Sequence, residues 1–106
     1  MLQDDGVIGP HIDYQGRIVQ QTISYNYGDH GDHVAGTIMG AGNLDPTTQG
    51  MAPGADIHVY GASPTYPGFA NAVSHYYQFN IRISSTSYSN GCNEYTALTR
   101  TMDEQM

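Results

Sequence analysis

The run His30 to Ala41, HGDHVAGTIMGA, constrains the fold more than any other part of the chain. Within it His33, Val34, Ala35, Thr37, Ile38 and Met39 form a helical stretch whose apolar residues recur one and four apart, so a helix begins near His30. Asp29 falls at the N-cap, where its carboxylate can accept the N–H of the second or third helical residue, and Asp32 can reach back toward the cap. The small residues Ala35, Gly36, Gly40 and Ala41 let a neighbouring backbone approach closely, which predicts a buried central helix.

Strand patterns flank this helix on both sides. Residues 1–4 read as the end of a strand, Gly16 to Ser24 as a second with Ile18, Thr22 and Ile23, Asp56 to Tyr60 as a third, and Ile81 to Ser87 as a fourth. Pro67 can open a second helix with Phe69, Ala70, Val73, Tyr76 and Tyr77 on one apolar face, closed at Asn80. A final helix follows, lined by Tyr95, Leu98, Thr99 and Met102. The order strand, strand, helix, strand, helix, strand, helix predicts an α/β fold, a parallel sheet with helices on both faces. Ligands of such sheets bind beyond the carboxyl ends of the strands, where Asp4 and Ser87 both fall.

A histidine in the first helical turn feels the positive end of the helix dipole, which favours the neutral ring, while adjacent carboxylates favour the protonated one. A ring balanced in this way suits a general base. The pattern alone also suits a plain polar helix start. A third use is a divalent-metal module built from His30, His33, Asp29, Asp32 and His11, although the histidine pair lacks an H-E-x-x-H arrangement. His58 reads as a strand-face residue.

At 106 residues the chain is at most one small domain, and thirteen glycines with five prolines imply many tight connections. Ten acidic residues against three arginines give a net charge of −7, which argues against nucleic acid or an anionic membrane as partner. There is no membrane-length apolar run and no basic-then-apolar leader pattern. One cysteine, Cys92 in a turn-like setting, excludes an internal disulfide. Oligomeric state is not written in the sequence.

HGDHVAGT closely resembles the histidine motif HGTHVAGT of the subtilisin-like serine proteases, differing only at Asp32. Three further segments carry the same resemblance. Asp4-Asp5-Gly6, with His11-Ile12-Asp13 beginning seven residues after Asp4, resembles the family's D-[ST]-G and H-x-D pair, with Asp5 in place of the hydroxyl residue. Gly50 to Ala55 resembles G-[VM]-A-P-x-A, and Ser85-Thr86-Ser87-Tyr88-Ser89 resembles, less closely, N-M-S-L-G.

The resemblance implies an incomplete subtilisin-like domain, truncated at both ends, because the family's oxyanion asparagine and G-[TS]-S-x-[AS] nucleophile motif are not found. It implies a serine endopeptidase in which Asp4 and His30 are the aspartate and base of the triad, and Ser87, Tyr88 and Ser89 bind the substrate backbone. It also implies a peptide or protein substrate and an extracellular location, with an inactive homologue as the alternative. His33 reads as a packed structural histidine and Asp5 as an exposed turn carboxylate. No cofactor is implied. A structural calcium stays open, since Asp13 matches a position that often helps bind it, although a solvated carboxylate and an ordinary loop at Gly42 to Gly50 are preferred.

Overall fold

The computed structural model describes residues 1–22, 28–61, 72–87 and 95–105. Among these, β1 (Leu2–Asp4), β2 (Ile18–Gln21), β3 (Ile57–Gly61) and β4 (Ser85–Thr86) form one sheet in the order β2-β3-β1-β4, every pair parallel. Parallel neighbours need crossovers, and the helices α1 (His30–Met39) and α2 (Ala72–Phe79) lie in them. A last helix, α3, spans Ala97–Gln105. Because the chain passes from β3 through α2 to the far side of β1, that first strand is central, and all three of its residues are buried.

The alternation of β3 sorts the helices onto opposite faces. Ile57 and Val59 join Leu2, Ile8, Tyr14, Ala35 and Met39 in the core on the α1 side. His58 and Tyr60 point the other way, to α2: the Tyr60 hydroxyl lies 2.7 Å from His75 Nδ1, and the His58 and Phe79 rings are 5.2 Å apart. This is the expected α/β architecture with helices on both faces of a parallel sheet.

Three details differ from the sequence expectation. β4 is paired with β1 only at Ser85 and Thr86, opposite Leu2 and Gln3; before it, the Met1 ammonium donates to the Ile83 carbonyl and the Ser85 N–H to the Met1 carbonyl. Among the α2 side chains described, His75 is the buried one, while Tyr77 is 80% exposed and Tyr76 lies at the surface; the Val73 side chain falls outside the described residues. The Pro67, Phe69 and Ala70 expectations fall outside the described residues. The helix does end at Asn80, whose positive φ of 56° brings the Ile81 N–H to the His75 carbonyl at 3.5 Å, a left-handed cap.

The third difference concerns the small residues of α1. A Cβ on Gly36 would meet nothing, so close approach is not needed there; it occurs at Gly50, where a Cβ would lie 2.7 Å from the Gly36 carbonyl oxygen. The backbone must come that near because Gly50, Met51 and Ala52 donate to the carbonyls of Gly40, Thr37 and Ile38 at 2.8, 3.0 and 2.7 Å, satisfying the orphan acceptors at the end of α1. Arg17 ties the same region together by donating to the carbonyls of Asp13, Met39 and Ala55.

Candidate active site

Asp4 is the last residue of β1 and only 2% exposed. His30 opens α1, which returns its N-terminus to the carboxyl end of that strand. The two meet: His30 Nδ1 lies 2.7 Å from Asp4 Oδ1, which also accepts the Asp5 N–H at 2.8 Å. An ionised carboxylate only accepts hydrogen bonds, so Nδ1 carries the proton and donates it, leaving the lone pair on Nε2. The His30 side chain is 54% exposed, open for a reactant. Its pKa is raised above the ordinary value of 6.5, first by the hydrogen bond to Asp4, then by the Asp4 charge, with a smaller contribution from Asp5.

The carboxylates that act on the ring are therefore Asp4, brought from 26 residues away, and its neighbour Asp5, rather than helix neighbours. Asp29 occupies the N-cap position without a side-chain cap bond. The cap comes from Asp5, whose Oδ1 accepts the Gly31 N–H at 2.6 Å, so Asp5 is a half-buried capping group and not an exposed turn carboxylate. Nor does Asp32 reach back: its Oδ1 accepts the Gly9 N–H at 2.7 Å and the Tyr14 hydroxyl at 2.9 Å, and burial, followed by this bond, pushes the Tyr14 pKa well up.

Asp5 and Asp32 are the places where the aspartate and histidine motifs depart from the family pattern. In both, the added carboxylate receives a main-chain N–H from a distant segment, a role that the departure itself could have signalled. Asp13 is likewise no solvated group. It is buried, and its Oδ1 accepts the Asn43 N–H at 2.9 Å. In the exposed loop that follows, Asp45 Oδ1 is taken by the N–H and hydroxyl of Thr47, which lowers the Asp45 pKa.

His33 is exposed, contrary to the expectation of a packed histidine, since α1 turns only its Gly31, Ala35 and Met39 face fully inward. Ser87 is exposed and directly follows Thr86, the register partner of Gln3, at the carboxyl edge of the sheet. Tyr88, Ser89 and Cys92 lie outside the described residues. The five-residue metal set is not gathered. Among the described residues, potential ligand atoms lie within 4.8 Å of one another at Asp4, Asp5 and His30, where Asp4 Oδ1 meets His30 Nδ1 and Asp5 Oδ1 accepts the Gly31 N–H.

The sequence profile of the Subtilase family matches residues 2–106. The chain belongs to the subtilase family. No curated protein and no solved structure matches it significantly. The family is one of serine-type peptidases, which act on peptide or protein substrates. Subtilases are commonly secreted, and no helix among the described residues of this subtilase is long and apolar enough to cross a membrane.

Proposed function

We propose that this subtilase segment supplies the base and the orienting carboxylate of a serine endopeptidase, with His30 and Asp4 in those roles. The observation that carries the reading is the 2.7 Å contact of Asp4 with Nδ1, which leaves Nε2 as the basic nitrogen on the exposed side of a ring tethered to the sheet. A serine hydroxyl from a segment outside this chain gives its proton to Nε2 as its oxygen bonds to the substrate carbonyl carbon. Nε2 then passes that proton to the leaving amine as the C–N bond breaks, and water releases the acyl group by the reverse proton path. Asp4 stabilises the imidazolium formed between these transfers.

Ser87, Tyr88 and Ser89 serve as the extended segment that pairs with substrate backbone. Support comes from the position of Ser87 at the carboxyl edge of the sheet, directly after the strand that pairs with β1. Ser89 stands where the family commonly has glycine, and Tyr88 is bulky, so the pocket before the cut bond disfavours large aromatic side chains. Secretion is the address that goes with this reading.

In the complete protein, His30→Ala abolishes peptide hydrolysis and labelling of the serine by a fluorophosphonate, whereas His33→Ala leaves both largely intact. Hydrolysis that survives His30→Ala, with the protein folded, would refute the assignment.

A further inference from the structure

The residues around the start of α1 are moulded on Asp5. Its Oδ1 accepts the Gly31 N–H at 2.6 Å, and a Cβ at Gly28 would come within 2.6 Å of its Oδ2. A Cβ at Gly31 would come within 2.5 Å of the Asp5 main-chain oxygen. Gly28 and Gly31 bracket Asp29 and His30, so one acidic residue lies against the backbone before the imidazole and bonds to it after. The local candidate for this task, Asp29, makes no side-chain cap bond. Asp5 also has a carboxylate oxygen within 4.8 Å of a His30 ring nitrogen.

We propose that Asp5 is a positioning residue for the base: it seats the first turn of α1 on the end of β1, so that the imidazole meets Asp4 in one orientation, and it sets a second negative charge beside the ring. This rests on the reading of His30 as the base. The device has two separable parts. The acceptor oxygen fixes geometry by satisfying an orphan helix N–H, and the charge favours the imidazolium that forms during the reaction. The direction of the His30 pKa agrees, since Asp5 adds to the upward push of Asp4.

Asparagine keeps the acceptor and removes the charge, whereas alanine removes both. In the complete protein, Asp5→Ala lowers kcat about tenfold with KM little changed, as expected when a reacting group is misplaced but substrate contacts are kept. Asp5→Asn restores most of kcat, and the acid limb of its kcat/KM profile moves to lower pH. Titration of the His30 ring by NMR follows the same shift without needing turnover. Should the wild type turn over no peptide while the Asp5 variants still move the His30 titration and speed Gly31 amide exchange, the endopeptidase reading fails and the positioning role stands. Wild-type kcat and an unmoved acid limb in Asp5→Ala overturn the positioning role, as does an Asp5→Asn variant as impaired as Asp5→Ala at equal thermal stability.

Discussion

Between Asp4 and His30 one 2.7 Å contact settles both the tautomer of the ring and the direction of its proton affinity. Because Asp4 favours the imidazolium, the free base appears only as pH rises through a value above the ordinary 6.5, and kcat/KM rises with it. The stability linkage has the corresponding sign. A raised folded-state pKa contributes stability that is present below the unfolded value and is lost as pH rises through the folded one. His33→Ala, at an exposed position, changes stability by less than about 0.5 kcal/mol, measured by thermal unfolding. The Asp4 and His30 pair was legible because short motifs mark each residue. The partners of Asp5, Asp13 and Asp32 were not, because their hydrogen bonds span 18 to 30 residues and local spacing carries no trace of them.

At the scale of elements, α1 is stitched to the fold at both ends by backbone that comes too near for side chains. A Cβ at Gly31 would meet the Asp5 carbonyl oxygen at 2.5 Å and Ile8 Cδ1 at 2.8 Å. Gly31→Ala therefore overpacks the start of the helix and costs about 1–3 kcal/mol, read as a lower unfolding midpoint together with a loss of kcat. On the other face of the sheet, burial lowers the pKa of His58 and of His75. Here the sign is opposite to that of His30: the unfolded chain binds protons first, so stability is lost as pH falls below about 6.5. Amide protection in α2, exchange corrected for its intrinsic pH dependence, should fall on acidification before that in α1 does. Helical period located α1 and the αL residue Asn80, but it overvalued the apolar character of Tyr76 and Tyr77, since a buried hydrogen bond to Tyr60 placed His75 inward instead.

For the molecule as a whole, the alternation of strands and helices was enough to foresee a parallel sheet with helices on both faces. It could not give the order β2-β3-β1-β4 or the two-residue length of β4, which depend on which edges find partners. Among the described residues β2 and β4 are the edges, and Val19 and Ile83 near them are 58% and 78% exposed. The 106-residue chain made alone is expected to associate through such edges and to show no peptide turnover, because a base with its carboxylate lacks both nucleophile and oxyanion donor. Solution mass and a peptidase assay check both halves.

The most direct test of the account is kcat/KM for Asp4→Asn and Asp5→Asn, measured side by side in the complete protein with their unfolding midpoints. Asp4→Asn presents its amide to the ring and selects the wrong tautomer, so its kcat/KM falls by about 10⁴-fold while Asp5→Asn keeps most of its activity. A crippled Asp5→Asn beside an active Asp4→Asn would contradict the account, since Asp5 and not Asp4 would then be the partner of the base.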